Sequence, residues 1–312
     1  MPSRAVAEAA TRLPIPDGAT MVLAVSGGPD SMALLHGARA VAPSHSWQLV
    51  VAHLDHGLRP DSADDATFVT DAADELGLPW RLRRTDVAAA AAADRLGIEG
   101  AGRVARYAFL DEVADGLGSA TLVVTAHSAD DQAETVLMNL ARGSGLHGLR
   151  GIPARRGRVI RPLLATRRRA LRTALDEAGI AYRLDPTNAD PAHARARVRA
   201  DLVPAMESLN PAAVDAVVRF AALAADDDAL LDALAADELR RRGTDGALDW
   251  HDPPRPALGR RVLRLAIGDP APSADRIEAV LEAAAGPRGG ITIELGRGRT
   301  AEIRGRRIVI GL

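Results

Sequence analysis

Six residues near the amino terminus have the types and spacing to bind a polyphosphate. They are Ser26, Gly27, Gly28, Pro29, Asp30 and Ser31. The two glycines lack a Cβ, so the backbone can adopt positive φ and approach a phosphate closely. The serine hydroxyls can donate to phosphate oxygens, and Asp30 can hold a Mg²⁺ ion that bridges them. No lysine follows the glycines, which excludes a phosphate loop of the Walker A type.

The residues on either side of this hexapeptide strengthen the prediction. Apolar residues 21–25 predict a strand, and the residues from Asp30 onward predict a helix whose amino terminus adds positive dipole. A Gly-Gly pair alone would indicate a tight turn without a ligand. The full pattern after a strand instead resembles the SGGxDS form of the PP-loop, and families that carry this loop cleave ATP to AMP and diphosphate. ATP is therefore the expected cofactor.

A second strand end carries His53, Asp55 and His56. These side chains could border the base and sugar of the nucleotide, with Arg59 near phosphate or RNA. One alternative is a histidine-rich turn that is capped by its own hydrogen bonds. A metal triad is the weaker alternative, because His53 and His56 are three residues apart and a strand would place them on opposite faces.

A third strand end combines a histidine with acids. His127 is followed by Asp130, Asp131 and Glu134 at the start of a predicted helix. Carboxylates in the first turn are favoured by the helix dipole, so capping alone could explain one of them. Together with His127 they form a place that could hold Mg²⁺ or an amine substrate.

Arginines make up the remaining candidates. Residues 135–175 contain ten arginines and no acid, which suits a polyphosphate or a nucleic-acid backbone, and equally a solvated basic face. Within them lies a glycine-rich loop, residues 142–151, whose Arg142 and Arg150 can order around phosphates. The other candidates are Arg103, Arg195, Arg197 and Arg199.

The alternating arginines 195, 197 and 199 could clamp a phosphate, and Arg197 or Arg199 could neutralise charge in a transition state. Alone, they would be a surface charge run. Arg103 shares a predicted helix face with Tyr107, and an ordinary ion pair of Arg103 with Glu99 is the alternative to a functional role.

Short apolar runs that alternate with helical patterns predict an α/β fold with a Rossmann-like parallel sheet. Strands are predicted over residues 21–25, 48–54, 80–85 and 121–126, and their Val, Leu and Ala content indicates burial on both faces. Ligands bind beyond the carboxyl ends of such strands, where Ser26, Asp55 and His127 fall. We expect a catalytic domain over residues 1–210 and a smaller C-terminal α+β accessory domain over 211–312.

Composition narrows the class of protein. The 312 residues contain no cysteine, so we expect no disulfide, thiolate metal site or persulfide carrier. Residues 1–130 hold 10 arginines and 17 acids, a net charge of −7, whereas residues 131–312 hold 29 and 24, a net charge of +5. No apolar stretch reaches the roughly 18 to 20 residues of a membrane helix, and the first residues lack a signal-peptide pattern. We therefore expect a cytoplasmic protein without a membrane partner.

Taken in order, these segments resemble the tRNA(Ile)-lysidine synthetase family. The resemblance spans about residues 20–211. Two positions depart from the family pattern: the family often has His at the position of Ser128 and Asn at the position of Ala196. Neither residue is assigned a role. The motifs are SGGPDS at 26–31, HLDHGLRPDS at 53–62, ExxxRxxRY at 99–107, AHSADDQAET at 126–135, RGSGLHGLRG at 142–151, RPLL at 161–164, and DPTN with RARVR before NP at 210–211.

The resemblance implies an ATP-dependent ligase that modifies tRNA(Ile) with a CAU anticodon. ATP would adenylate the C2 oxygen of the wobble cytidine, and the ε-amine of L-lysine would then displace AMP. Mg²⁺ would bind near Asp30 and Asp130. The oligomeric state is left open, with a homodimer as one option.

The resemblance also implies roles for the side chains. Asp130 and Asp131 would ligate metal or fix the lysine ammonium, with Glu134 beside them. His127, Arg103 and Arg197 would border the reacting cytidine and the phosphates. Substrate RNA would contact Arg142, Arg150, Arg195 and Arg199, and the accessory domain over residues 211–312 would bind tRNA.

Two other classes stay open at this point. The first is another PP-loop enzyme, either a tRNA-modifying enzyme such as a thiolase or an amide-forming ligase. Thiolases of this kind usually depend on cysteines, a ligase fed by glutamine would need a catalytic cysteine, and the sequence has none. A catalytically silent nucleotide-binding or RNA-binding module is the second, because Ser128 and Ala196 depart from the pattern. Formation of AMP from ATP in the presence of lysine and tRNA would distinguish the enzyme from the module.

Overall fold

A computed structural model describes residues 4–8, 13, 15–57, 62–94, 97–184, 193–244, 247–286 and 290–311. Arg59 and the DPTN motif at 185–188 lie outside the described residues. The chain divides into two compact units, Met1–Ala222 and Leu223–Leu312. This division falls within a helix, and the extent of a catalytic domain over 1–210 stays a prediction.

The first unit is built on a six-stranded sheet. Its strands are β1 (Thr20–Ala24), β2 (Gln48–Asp55), β3 (Trp80–Arg84), β4 (Leu122–Val124), β5 (Arg155–Arg156) and β6 (Val159–Ile160). Their order is β3-β2-β1-β4-β6-β5, and every neighbouring pair is parallel except β5 with β6. The strand order reverses at β1, which lies between β2 and β4. Ligands of open α/β sheets bind beyond the carboxyl ends of the strands at such a reversal.

Helices cover both faces of this sheet. The helices of this unit are α1 (Pro29–His45), α2 (Ser62–Glu75), α3 (Val87–Asp94), α4 (Ile98–Leu117), α5 (Ala129–Ala141), α6 (Leu146–Leu149), α7 (Arg168–Glu177), α8 (Ala194–Arg197) and α9 (Val203–Leu209). A π-helical segment, Val198–Leu202, connects α8 to α9. Successive residues of β1 enter different cores, since Val22 packs with Val123 on one face and Leu23 with Val51 on the other. This burial on both faces explains the continuous apolar sequence of β1.

The predicted parallel sheet and its α/β class are confirmed, but burial on both faces is wrong for one strand. All five residues of β3 are exposed, because β3 is an edge strand and its sequence, WRLRR, contains three arginines. Charged side chains on an edge strand also disfavour pairing with another sheet.

The second unit is α+β, as predicted. Helix α10 (Ala213–Arg242) crosses the division between the units. After it come β7 (Gly243–Thr244), β8 (Ala247–Asp249), α11 (Pro256–Ile267), α12 (Ala274–Ala285), β9 (Ile291–Gly296), β10 (Arg299–Arg304) and β11 (Arg307–Gly311). The five strands form an antiparallel sheet in the order β7-β8-β11-β10-β9, over a core that includes Trp250, Leu263 and Val280. Among the described helices, none alone is long and apolar enough to cross a membrane, and only residues 194–209 with 213–242, bent by 97°, pass that test as a pair.

Candidate active site

The predicted phosphate loop connects β1 to α1 at the carboxyl edge of the sheet. Gly27 has a φ of +84°, and a Cβ there would lie 3.3 Å from an aromatic ring of α2, so both backbone and space favour glycine. The Ser31 hydroxyl donates to the Gly28 carbonyl oxygen (2.9 Å) and accepts from the Ser26 amide (3.1 Å). Pro29 occupies the first turn of α1. The loop is therefore shaped before any ligand binds.

The second predicted segment braces this loop from β2. His53 is buried, and its Nδ1 donates to the carbonyl oxygen of Val25 (2.8 Å). The Asp55 carboxylate accepts from the Gly57 amide (2.8 Å) and lies 3.4 Å from the Arg84 guanidinium. These contacts form the hydrogen-bonded turn that the sequence left open. A nucleotide-binding role for His53 and Asp55 stays a prediction.

Asp30 lies in the first turn of α1, beside an arginine of α7 that sequence reasoning missed. Its Oδ2 accepts from Nε of Arg168 (3.1 Å). Its Oδ1 is buried and accepts no hydrogen bond from the residues that the structure describes. Burial raises the pKa of the Asp30 carboxyl, although the Arg168 guanidinium opposes this shift. A buried carboxylate oxygen with free lone pairs at a phosphate loop fits a Mg²⁺ ion.

Asp131 is the acid that caps its own helix. Its Oδ2 accepts from both the amide (2.8 Å) and the hydroxyl (2.9 Å) of Ser128. Its Oδ1 accepts from Arg168 (2.9 Å) and from Arg195 (3.0 Å). Burial opposes ionisation, but the two guanidiniums outweigh it and hold the pKa of Asp131 below its usual value. Ser128, which departs from the family pattern, thus holds Asp131 in place.

Glu134 is the most enclosed carboxylate of the site, with a side chain that is 1% exposed. Its two oxygens accept from Arg168 (3.2 Å), from Arg195 (2.8 Å) and from two nitrogens of Arg199 (2.7 and 3.1 Å). Burial raises the pKa of Glu134, but the arginines more than compensate, so that its pKa is lowered. Arg195 and Arg199 are therefore held inside the site by Glu134.

Asp130 has different contacts from those of its neighbours. Its carboxylate accepts from the guanidinium of Arg167 (two contacts of 3.3 Å) and from the backbone amide of Arg168 (2.7 Å). Arg167 in turn donates to Glu207 of α9 (2.7 Å). Asp130 thus connects the start of α7 to α5. A role for Asp130 as a metal ligand stays a prediction.

His127 and Arg103 lie at the other side of the site. The His127 Nδ1 shares a hydrogen bond with the Thr125 hydroxyl (2.9 Å), and burial lowers the pKa of His127 to about 4. The Arg103 guanidinium lies over the Tyr107 ring (4.9 Å), so the pair forms a cation–π contact. The Tyr107 hydroxyl accepts from Arg161 (3.3 Å), a buried arginine of the RPLL motif.

The structure therefore joins most of the predicted residues in one network and leaves a few at its surface. Arg168 contacts Asp30, Asp131 and Glu134 together, so the phosphate loop and the acidic helix form a single site. Arg142 and Arg197 are exposed, whereas Arg150 is half-buried and contacts His147. Three functional candidates received no role from the sequence: Arg161, Arg167 and Arg168. All three lie in the arginine-rich segment without acids, and Arg161 also begins the RPLL motif.

The buried histidines predict how stability depends on pH. Burial lowers the pKa of His127 and of His56 to about 4, from an ordinary value of 6.5. Between these two values the unfolded chain binds more protons than the folded protein, so the free energy of unfolding should fall as the pH drops. For His127 the expected loss between about pH 7 and about pH 5 is about 2 kcal/mol.

Urea unfolding of the wild type and of His127→Asn at these two pH values measures this effect. The variant should lose less stability on acidification than the wild type, whereas the exposed His193→Asn should behave as the wild type. Equal acid losses in His127→Asn and the wild type would contradict a neutral, buried His127.

A strand, an SGGPDS loop and a helix at the reversal point of a parallel sheet form an ATP-binding domain of the PP-loop class. A family model described as a PP-loop domain matches residues 4–206. The U34-tRNA thiolase of Methanococcus maripaludis has the same fold, with a TM-score of 0.60 and 18% identity over 72% of this chain and 77% of that chain.

Curated relatives narrow the class to one family. A tRNA(Ile)-lysidine synthase of Salinispora tropica is 46% identical over 241 residues, which cover 75% of this chain and 71% of the relative. A tRNA(Ile)-lysidine synthase of Geobacter sulfurreducens is 46% identical over 227 residues, which cover 72% of this chain and 48% of the relative. The chain belongs to the tRNA(Ile)-lysidine synthase family. It spans about half the length of the Geobacter relative.

Proposed function

We propose that the chain is a cytoplasmic ligase that joins L-lysine to C2 of the wobble cytidine in tRNA(Ile) with a CAU anticodon. In this reaction ATP adenylates the cytidine and releases diphosphate, and the lysine amine then displaces AMP. The observation that carries the proposal is the contact of Arg168 with Asp30, Asp131 and Glu134, which places the acidic helix against the phosphate loop. Membership of the lysidine synthase family supports it.

The first half of the proposed reaction uses the phosphate loop. The amides and hydroxyls of residues 26–31 would bind the triphosphate, and Asp30 would hold Mg²⁺ through Oδ1. When bound, Mg²⁺ supplies charge that stabilises the leaving diphosphate. Arg103 and Arg197, whose side chains are exposed, would orient the RNA at the edge of the site.

The second half uses the acidic helix. Asp131 and Glu134 would bind the lysine ammonium in place of the contacts that they make with Arg195. His127 is neutral at neutral pH because its pKa is about 4, so it would serve the amine as a hydrogen-bond partner rather than as an acid. Asp130 would keep α7, and with it Arg168, in position.

The residues also argue against the chemistry of the similar thiolase. That thiolase is named with a [4Fe-4S] cluster, and such clusters are held by cysteine thiolates. The 312 residues contain no cysteine. The likeness between the two proteins therefore concerns the fold alone.

Formation of AMP tests the proposed reaction. We expect AMP only when ATP, L-lysine and tRNA(Ile) with a CAU anticodon are all present. Omission of lysine should leave diphosphate release without AMP, because the adenylated cytidine then accumulates. Formation of AMP at the same rate in the absence of RNA would contradict the proposal.

The exposed arginines predict how RNA affinity depends on salt. Each arginine that neutralises a phosphate releases counterions, so Arg142→Gln and Arg197→Gln should each lower the slope of log affinity against log salt by about 0.7 to 1. Fluorescence anisotropy with labelled tRNA over a salt series measures the slope. Arg39→Gln is the control, because exposed Arg39 donates to the Leu76 carbonyl oxygen near the opposite edge of the sheet. Unchanged slopes for Arg142→Gln and Arg197→Gln would make both arginines part of a solvated face.

A further inference from the structure

The glycine-rich loop, residues 142–151, folds back along α5 and is fastened to it by side chains of one helix face. Near the carboxyl end of α5, Nδ2 of Asn139 donates to the Gly148 carbonyl oxygen (2.8 Å). Near the amino end of α5, Gln132 makes three hydrogen bonds to the backbone of residues 150 and 152, where the loop ends. Residues 132 and 139 are seven apart and so share a face of the helix.

The Gln132 contacts use both ends of its carboxamide. Oε1 accepts from the Ile152 amide (2.6 Å), and Nε2 donates to the carbonyl oxygens of Arg150 and Ile152 (3.2 Å each). The side chain is 5% exposed, so water cannot easily replace these bonds. Gly151 lies between the two acceptors with a φ of +66°, and a Cβ there would come within 2.5 Å of Oε1 of Gln132.

The fastened segment leads directly to the candidate active site. One residue after Ile152, the Pro153 carbonyl oxygen accepts from buried Arg161 (2.7 Å), which also donates to the Tyr107 hydroxyl beneath Arg103. Gln132 itself lies between Asp131 and Glu134 in the sequence of α5. The same turn of α5 therefore carries the carboxylates on one face and holds the glycine-rich loop with another.

We propose that Gln132 is a positioning residue that fixes the glycine-rich loop on α5, so that the loop meets the RNA substrate as a preformed surface. The inference rests on the proposed function for the identity of the RNA. A loop that is ordered before binding costs less conformational entropy on association. Gln132 contributes to RNA affinity through this order and makes no contact with the RNA.

The hydrogen bonds of Gln132 to the backbone of residues 150 and 152 are called the clamp. Two variants disrupt it, one on the helix and one in the loop, and each has a matched control. Gln132→Glu puts an acceptor against two carbonyl oxygens, and Gln48→Glu introduces the same change at the chain's other glutamine, which is exposed. Gly151→Ala introduces a Cβ against Gln132 at positive φ. Gly77→Ala adds a Cβ at a φ of +65° with no atom within 4 Å, so it reproduces the backbone strain alone.

The readouts are binding of labelled tRNA(Ile) by anisotropy, and binding of ATP by calorimetry without RNA. Gln132→Glu and Gly151→Ala should weaken RNA binding by about tenfold and leave ATP affinity within about twofold. The salt slope of Gly151→Ala should match the wild type, because no phosphate contact is lost. Both control variants should bind RNA and ATP as the wild type does.

Wild-type RNA affinity in both clamp variants would overturn the inference, as would a loss of ATP affinity equal to the loss of RNA affinity. If Gln132→Glu does not fold, Gly151→Ala tests the clamp from the loop, and Asn139→Ala tests the second attachment of the loop to α5. Failure of the proposed function gives a different result. The wild type would then form no AMP, whereas the comparison of RNA affinities would still decide the role of Gln132.

Discussion

Asp30→Asn should reduce tRNA-dependent AMP formation by about 10³-fold while the protein stays folded. The substitution keeps the shape of the side chain but removes the charge that a Mg²⁺ ion at Oδ1 requires. It also replaces one acceptor of the Arg168 guanidinium, which contacts Asp30 at 3.1 Å. Because burial raises the pKa of Asp30, the neutral amide should cost little stability.

Initial rates of AMP formation over a Mg²⁺ series measure this effect, together with urea unfolding of the same sample. Asp71→Asn, an exposed position on α2, is the matched control and should keep the wild-type rate. Asp30→Asn with a wild-type rate and Mg²⁺ dependence would remove Asp30 from the chemistry. A variant that does not unfold cooperatively would show that Asp30 is needed for the fold.

Glu134→Gln should lower both stability and activity. The wild-type carboxylate accepts from three arginines, and the amide would turn two hydrogens toward those guanidiniums. Loss of one partner from a fully buried ion pair costs about 3 to 5 kcal/mol. Arg195 and Arg199 are 31% and 37% exposed, so water screens part of the cost, and we expect a loss of roughly 2 kcal/mol in the free energy of unfolding.

The activity of Glu134→Gln should fall by about 10²-fold, since Arg195 and Arg199 lose the carboxylate that holds them and the proposed site for the lysine ammonium loses a negative charge. Urea unfolding and AMP formation are measured on the same preparation, at a temperature where the variant is folded. Glu112→Gln breaks an exposed bidentate pair with Arg83 and should change neither quantity measurably. Wild-type stability in Glu134→Gln would show that the arginine network does not depend on this carboxylate.

The sequence predicted the strands that are buried on both faces, because their residues are almost all apolar. The apolar runs of β1, β2 and β4 end in Ser26, His53 to Asp55, and His127, so strand and site were visible together. Strands β5 to β8 have only two or three residues each, too few for a periodic pattern. The exposure of β3 depends on its place at the edge of the sheet, which strand composition alone did not give.

The acids of the candidate site were predicted from local sequence patterns, whereas the arginine that joins them was not. Asp30 and Asp131 stand in the first turns of helices that follow strands, and Glu134 stands one turn after Asp131, a local pattern that sequence shows. Arg168 lies in a run of arginines that reads as a solvated surface, and its function depends on the packing of α7 against α1. Side chains that act through tertiary contacts, such as Arg168 and Gln132, carry no periodic signal of their own.

In the proposed reaction, the phosphate loop and the acidic helix form one site that joins lysine to a cytidine. Mass spectrometry of nucleosides from tRNA(Ile), digested after incubation with the protein, ATP, Mg²⁺ and isotope-labelled L-lysine, tests it most directly. We predict a cytidine carrying the label, with loss of one water from the sum of the two components, in the wild type and its absence in Asp30→Asn. Unmodified cytidine in a wild-type reaction that consumes ATP would contradict the proposed lysine transfer.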